Sequence, residues 1–250
     1  MKKLNEKKEA INSESKLAVV TGAGHRLGEE IARTVADLGY TLILHYFTSE
    51  KKAFNLSNKL TNAGAVVHMF RADLTKKDEI AGLWKFIDGL EGELKLLVNS
   101  ASIMSTTKIG KLTPEEFDHV ISINLKAPFL CSQEASKRMN SGSLIVNISD
   151  IASNLNWTGF PLHSVSKAAL DSLTKIFAKD LAPDIRVNGI APGLVIPPEF
   201  MDSSDWDKLV DKVPLKRNAV VEEITQTIRF LIENEYITGQ TIIIDGGRSL

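Results

Sequence analysis

The chain of 250 residues lacks the features that would mark a disulfide-rich, membrane-spanning or nucleic-acid-binding protein. Its single cysteine, Cys131, excludes an intramolecular disulfide and a cysteine-cluster metal site. Thirty basic residues stand against 31 acidic ones, so the net charge of −1 offers no basic field to a phosphate backbone. No apolar run approaches the roughly 18 residues of a membrane span. We therefore expect a cytoplasmic globular protein with no nucleic-acid or membrane partner.

Metal-ligand spacing is also absent, because the five histidines form no H-x-x-x-H or H-x-H pair. We expect no metal site.

Residues 1–15 are polar and charged without a sustained period, and they predict a flexible N-terminal extension. From residue 16 to residue 250, short apolar segments alternate with segments long enough for helices. The predicted strands are 17–21, 41–46, 65–70, 95–98, 143–148, 185–190 and 241–244. The predicted helices are 27–38, 50–62, 76–89, 114–139, 161–181 and 220–233. This alternation predicts one α/β domain, a Rossmann-type doubly wound parallel sheet of about seven strands.

The first predicted strand runs directly into a glycine-rich turn, Thr21-Gly22-Ala23-Gly24-His25-Arg26-Leu27-Gly28. A strand, a glycine turn and a helix N-terminus together present backbone N–H groups and a positive dipole end to a pyrophosphate. The spacing is G-x-G-x-x-x-G rather than G-x-G-x-x-G, and an ordinary tight turn has the same appearance. Its place after the first strand favours nucleotide binding. The predicted contacts are Gly22, His25, Arg26, Leu27 and Gly28.

The end of the second strand bears on the choice between NAD(H) and NADP(H). NAD-binding folds place an Asp or Glu there to hold the ribose 2′-OH. Here the strand ends His45-Tyr46-Phe47-Thr48-Ser49, with no acid before Glu50. Arg26 lies in the turn, within reach of a 2′-phosphate, and His45, Tyr46, Thr48 and Ser49 are predicted to add contacts. We therefore predict NADP(H) as the cofactor.

Four further segments follow in order along the chain: Asn99-Ser100-Ala101-Ser102, Asn124 in ISINLKAPF, SVSKAAL at 164–170, and 185–193 ending AlaProGly. With the glycine turn, they resemble the short-chain dehydrogenase/reductase family from about residue 16 to the C-terminus. The pattern T-G-x-x-x-R-x-G, the HisTyr…Ser strand end, Asp150 and the closing 245–248 (AspGlyGlyArg) are similar to the pteridine reductase and dihydromonapterin reductase branch.

The resemblance implies hydride transfer between the nicotinamide C4 and a carbonyl or imine carbon. The family normally uses a tyrosine acid, a lysine four residues later, a serine thirteen residues earlier and an asparagine. Lys167 and Asn124 match this pattern, but His163 stands in the tyrosine position and Asp150 in the serine position. Imidazole titrates near neutrality, so we predict His163, paired with Asp150, as the general acid. Ser149 is adjacent but out of register and is expected to point away.

The resemblance also implies the remaining contacts. The expected cofactor-binding residues are Asp73, Leu74, Asn99, Ser100, Ala101, Lys167, Pro192, Gly193 and Leu194. The expected substrate-binding residues are Ser102, Met104, Trp157 and Phe160, with 194–213 as a mobile lid. Met104 stands where pteridine reductases stack an aromatic residue on the pterin. The partner is a small molecule, and the family commonly forms tetramers through helices here at 114–139 and 161–181.

Three functions remain open at this point. The first is an NADPH-dependent reductase of a dihydropteridine-like ring. The second is a carbonyl reductase for an oxoacyl or sugar-type substrate, because one fold hosts both activities. The third is an NADP(H)-binding sensor or scaffold that has lost catalysis through the substitution at His163.

Overall fold

The computed structural model describes residues 15–250, so the predicted extension lies, except for Ser15, outside the described residues. Seven parallel strands form one sheet in the order β3-β2-β1-β4-β5-β6-β7. The strands are β1 (Lys16–Thr21), β2 (Thr41–Tyr46), β3 (Val67–Arg71), β4 (Glu93–Asn99), β5 (Ser143–Ile148), β6 (Ile185–Pro192) and β7 (Thr241–Ile244). This confirms the predicted doubly wound parallel sheet.

Helices fill the connections between the strands. They are α1 (Leu27–Asp37), α2 (Glu50–Asn62), α3 (Lys77–Ile87), α4 (Pro114–Ile121), α5 (Ala127–Ser136), α6 (Ala152–Leu155), α7 (Pro161–Asp180), α8 (Ser203–Val210) and α9 (Val221–Glu233). The helix predicted over 114–139 begins where expected, because the Thr113 hydroxyl caps it and Pro114 occupies its first position. The chain stays helical to Ser136, and a π-helical turn at Ser122–Lys126 divides the helix into α4 and α5. Helix α6 was not predicted.

Alternate residues of each strand pack against helices on opposite faces of the sheet. Leu17 and Val19 of β1 pack on the face covered by α3, α5 and α7. Ala18 and Val20 pack on the face covered by α1, α2 and α9. Cys131 belongs to the first core, where burial raises the pKa of its thiol to about 12, consistent with a packing role. Among residues 15–250, no helix is both long and apolar enough to cross a membrane.

The site is positioned by the glycine turn at the end of β1 and the loop at the end of the neighbouring β4. A Cβ on Gly22 would lie 2.8 Å from the Ala101 Cα, and one on Gly28 would lie 2.2 Å from the Gly22 carbonyl oxygen. Because only glycine permits this approach, the turn packs directly on the β4 loop and on the first turn of α1. A crevice therefore opens where the strand order reverses between β1 and β4.

Candidate active site

One large cavity, with a volume of about 720 Å³, opens at the carboxyl ends of the strands, and its size suits a small-molecule site. Most of the predicted site residues line it. They are Gly22, His25, Arg26, Leu27, Gly28, His45, Tyr46, Thr48, Ser49, Leu74, Ser100, Ala101, Ser102, Met104, Asp150, Trp157, Phe160, His163, Lys167, Pro192, Gly193 and Leu194. The segment 194–213 borders the same cavity through Met201, Trp206 and Leu209.

Two predicted cofactor contacts, Asp73 and Asn99, do not line the cavity. One carboxylate oxygen of Asp73 accepts hydrogen bonds from the backbone N–H and the hydroxyl of Thr75. The buried Asn99 side chain donates to Ser132 and to Asn147, which ties β4 to α5 and β5. These hydrogen bonds occupy one carboxylate oxygen of Asp73 and the amide nitrogen of Asn99, and the roles of both residues as cofactor contacts stay predictions.

His45 has no ring nitrogen left for a phosphate. Its Nδ1 accepts from the Gly22 N–H at 3.1 Å, and its Nε2 donates to the Ala72 carbonyl at 3.0 Å. Burial lowers the pKa of His45 to about 4, although the hydrogen bond to Ala72 partly opposes this shift. The neutral ring therefore links the glycine turn to the residue that follows β3 through two hydrogen bonds. Neither ring nitrogen remains available for the hydrogen bond to a 2′-phosphate that we predicted for His45.

Arg26 has an unusual backbone conformation, with φ of 54° and ψ of −130°, which costs a non-glycine residue about 1–3 kcal/mol. Its guanidinium donates to the Ile196 and Pro197 carbonyls at 2.7 and 2.9 Å. The neighbouring His25 lies 3.2 Å from a Glu199 carboxylate oxygen. The side chain that we expected at a 2′-phosphate thus holds the lid segment against the glycine turn.

His163 is buried in the first turn of α7, and its two ring nitrogens have different neighbours. Nδ1 lies 3.3 Å from the Ile103 carbonyl oxygen. Because a carbonyl can only accept, Nδ1 carries the hydrogen in this contact. Nε2 lies 3.4 Å from a carboxylate oxygen of Asp150, and the other oxygen of Asp150 accepts from the Ala152 N–H at 2.8 Å. The structure thus brings the predicted pair together at the cavity wall.

Lys167 lies one helical turn beyond His163 and is almost fully buried. Its Nζ donates to the Ile148 carbonyl at 2.8 Å. Burial lowers the pKa of Lys167 to about 8, while the nearby carboxylates of Asp150 and Asp171 act in the opposite direction. Holding the charged ammonium at this buried position in the cavity wall therefore lowers the stability of the folded protein.

Asn124, which the family resemblance predicts to be a catalytic residue, lies just behind the residues that line the cavity, and its catalytic role stays a prediction. It lies in the π-helical turn, a feature that is frequent at functional sites. Its carbonyl oxygen accepts from the Ile103 N–H and the Ser102 hydroxyl, at 2.9 and 3.1 Å. Its amide nitrogen donates to the Ile103 carbonyl at 2.9 Å and to the Ser166 hydroxyl. Asn124 therefore positions the same carbonyl that orients His163.

Sequence reasoning missed several cavity residues. Ser149 borders the cavity although we expected it to point away, and its buried hydroxyl has no hydrogen-bond partner among residues 15–250. Arg248 and Leu209 also border it, and only the C-terminal AspGlyGlyArg motif hinted at the first. On the substrate side, the Trp157 and Phe160 rings lie edge to face with their centroids 6.1 Å apart.

Comparisons with known proteins agree with this geometry. A family model described as enoyl-(acyl carrier protein) reductase matches residues 22–249. The chain is 32% identical over 245 residues to the uncharacterized oxidoreductase YgfF of Escherichia coli K12, covering 93% of this chain and 99% of that protein. It is 33% identical over 241 residues to 3-oxoacyl-(acyl-carrier-protein) reductase FabG of Staphylococcus epidermidis, covering 93% and 98%. The crystal structure of FolM alternative dihydrofolate reductase 1 from Brucella canis, complexed with NADP, gives a TM-score of 0.89 at 32% identity and covers 95% of each chain.

The burial of Lys167 predicts a gain in stability when its charge is removed. Its folded-state pKa of about 8 lies below the ordinary lysine pKa of 10.5, so the buried charge destabilises the fold in full below pH 8, and this cost fades as the pH rises towards 10.5. Lys167→Met should raise the free energy of unfolding by about 1–3 kcal/mol at pH 7, and by much less at pH 10. Urea unfolding at both pH values measures this difference.

The matched control is Lys175→Met, which removes an exposed lysine from the same helix and should change stability by less than about 0.5 kcal/mol. A Lys167→Met protein less stable than wild type at pH 7 would contradict the stated cost of the buried charge.

Proposed function

Because this chain belongs to the short-chain dehydrogenase/reductase family and is an oxidoreductase that uses NADP(H), we propose that it reduces a carbonyl or imine group with His163 as the general acid. The observation that carries the proposal is the pairing of His163 with Asp150 in the cavity wall, with Lys167 one turn away. The tyrosine position of the family is thereby filled by another group that can hold and release a proton.

The cavity fits the cofactor at its glycine-turn end. Leu27 and Gly28 begin α1 and line the cavity, so the N-terminus of this helix faces it, which suits a pyrophosphate. A Cβ on Gly24 would lie 2.4 Å from the Ser49 Oγ, so glycine is what allows this hydroxyl to sit against the turn. Lys52 and His25 lie beside each other there, with 3.3 Å between Nζ and Nε2. We assign the 2′-phosphate to Ser49 and Thr48, with these two basic groups nearby.

His163 would deliver the proton from Nε2 by way of the Asp150 carboxylate, because Nε2 is buried and faces Asp150, whose side chain is the more exposed of the two. The chemistry that NADPH would supply when held in this cavity is a hydride for the substrate carbon, which would leave negative charge on the attached oxygen or nitrogen. Since Nδ1–H is committed to the Ile103 carbonyl, Nε2 carries a proton only when the ring is the imidazolium. Asp150 lies 3.4 Å from this nitrogen and stabilises that charged form. The ring returns to neutral as the proton leaves, and water then restores it.

Lys167 would hold the nicotinamide ribose, the role that its family position implies. One of its protons is committed to the Ile148 carbonyl, and the other two remain for hydroxyl groups at the cavity wall. Its positive charge also favours the developing negative charge on the substrate. Asn124 keeps Ile103 in place and acts on the reaction only through that residue.

The aromatic wall supports a flat, ring-shaped substrate. Trp157 and Phe160 form an edge-to-face pair on one side of the cavity, and the Phe160 ring lies 6.2 Å from that of Phe200 on the lid segment. We propose a dihydropteridine-like ring, which agrees with the name of the similar Brucella protein, an alternative dihydrofolate reductase. The second candidate is a 3-oxoacyl substrate, because the similar Staphylococcus protein is a 3-oxoacyl reductase and Met104 replaces the stacking aromatic.

A pair of variants tests the cofactor assignment. Wild type should bind NADPH more tightly than NADH. Ser49→Asp places a carboxylate at the 2′-phosphate and should weaken NADPH binding at least about 10-fold while leaving NADH binding nearly unchanged. Arg26→Ala loosens the lid and should weaken both cofactors by a similar factor, about 10-fold. Fluorescence titration of wild type and the two variants with both cofactors measures the six dissociation constants.

If Arg26→Ala weakened NADPH alone, the guanidinium would have to leave the lid carbonyls for the 2′-phosphate. Arg26→Gly is the matched control, because it removes the same side chain but permits the positive φ. It should be more stable than Arg26→Ala by about 1 kcal/mol.

The role of His163 predicts the effect of two substitutions at this position. His163→Ala should lower kcat about 10²- to 10⁴-fold with little change in NADPH binding, because it removes the general acid. His163→Tyr restores the tyrosine of the family pattern and should retain or raise the rate. Stopped-flow NADPH oxidation with dihydropteridines and a panel of ketones measures each rate.

If neither wild type nor His163→Tyr oxidised NADPH with any of these substrates, the catalytic proposal would fail. The remaining interpretation would be that the protein is an NADP(H)-binding sensor or scaffold.

A homotetramer is proposed as the assembly. Phe117, Phe129 and Val165 are large apolar side chains that α4, α5 and α7 leave 41–58% exposed. The Phe129 and Phe177 rings lie 5.6 Å apart, which places α5 and α7 side by side. An exposed apolar surface of this kind fits a second copy of the chain.

Light scattering after size exclusion should therefore give four times the chain mass of 27.5 kDa for wild type. Phe129→Asp should give smaller particles. Phe54→Asp, which changes an exposed phenylalanine on α2, should leave the tetramer intact. A monomeric wild type would overturn this assembly.

A further inference from the structure

Arg248 is a cation at the cavity wall that the proposed chemistry does not use. It lies in the turn after β7, and its Nη1 donates to the Leu209 carbonyl at 2.9 Å. Its Nε is buried without a hydrogen-bond partner, and the side chain forms no ion pair with any residue in 15–250. A guanidinium has five donors, so most of them remain unused.

The turn around Arg248 is rigidly built. One carboxylate oxygen of Asp245 accepts from the Gly247 N–H and the other from the Ser249 N–H, at 2.8 and 2.7 Å. A Cβ on Gly246 would lie 2.7 Å from Val213, so the turn packs tightly on the chain just beyond α8. The guanidinium is thus fixed at the carboxyl end of α8, the lid helix, by a hydrogen bond to the Leu209 carbonyl, which leaves its other outward donors without a partner carboxylate in the described part of the chain.

The other charged groups of the cavity are already engaged. His163 lies against Asp150, and Lys167 donates to the Ile148 carbonyl. Arg26 donates to two lid carbonyls. Arg248 differs because no carboxylate among the described residues pairs with it, and the lid residues Trp206 and Leu209 that line the same cavity are apolar. A cation that borders a cavity without an opposite charge is available to an anion that enters the cavity.

We propose that Arg248 binds an anionic group of the substrate, a carboxylate or a phosphate, under the lid helix. This inference rests on the proposed reductase function, because it specifies that the oxo or imino substrate also carries a negatively charged group. A guanidinium recognises a planar carboxylate with two parallel hydrogen bonds, whereas an apolar wall alone would not distinguish an acid from its ester. The catalytic pair acts on the carbonyl or imine, and Arg248 selects the substrate by its charge.

The test compares two probes that differ in charge, 4-acetylbenzoate and its methyl ester, on the protein saturated with NADP⁺. Trp157 and Trp206 border the cavity, so tryptophan fluorescence reports binding without turnover. Wild type should bind the acid at least about 10-fold more tightly than the ester. Arg248→Met should reduce this ratio to about one by weakening the acid alone, and Arg248→Lys should keep part of the preference.

The matched control is Lys208→Met, which removes one positive charge from the lid helix at an exposed position outside the cavity lining. It should leave the ratio unchanged, which separates a direct contact from the general field of the surface. Three results would overturn the proposal: no preference for the acid in wild type, no binding of either probe, or equal weakening of acid and ester in Arg248→Met. The last would mean that Arg248 only secures the lid.

A separate assay distinguishes this inference from the proposed function. If the acid binds through Arg248 but neither this probe nor the dihydropteridines are reduced by NADPH, the anion site stands and the reductase proposal fails.

Discussion

The Ile103 carbonyl oxygen is the contact on which the candidate active site depends. It accepts from the Asn124 amide at 2.9 Å and from the His163 ring at 3.3 Å. The first bond anchors the loop after β4 to the π-helical turn, and the second fixes which imidazole nitrogen faces Asp150. A carbonyl cannot donate, so this single oxygen selects the tautomer of the ring. The fold thereby imposes a chemical state on a residue that the family usually does not have at this position.

Two features of the site, a buried charge and a strained backbone conformation, cost free energy of folding. Lys167 is buried with its pKa lowered to about 8, and Arg26 holds a backbone conformation that favours glycine. Neither arrangement stabilises the fold. Strain and buried charge of this kind persist where the surrounding structure enforces them, and they concentrate at functional sites. Their coincidence at one cavity agrees with a catalytic interpretation better than with a scaffold that only binds nucleotide.

The lid segment links the two halves of the cavity. Arg26 and His25 of the glycine turn contact Ile196, Pro197 and Glu199 at its start, and Arg248 contacts Leu209 near its end. The cofactor end and the substrate end are therefore tied to the same piece of chain.

Sequence alone determined the fold and most of the cavity lining. These features depend on short-range sequence patterns, namely strand periodicity, the glycine turn and the spacing of His163 and Lys167. Such patterns can be recognised without knowing the tertiary structure. Side-chain direction is not local. The sequence placed Asp73, Asn99 and His45 in the right segments but did not give their hydrogen-bond partners. Asp73 accepts from the nearby Thr75 N–H, Asn99 donates to the distant Asn147 side chain, and His45 accepts from the Gly22 N–H. Only the packed structure decided these partners, because a buried polar atom takes whichever hydrogen bond the surrounding elements bring within reach.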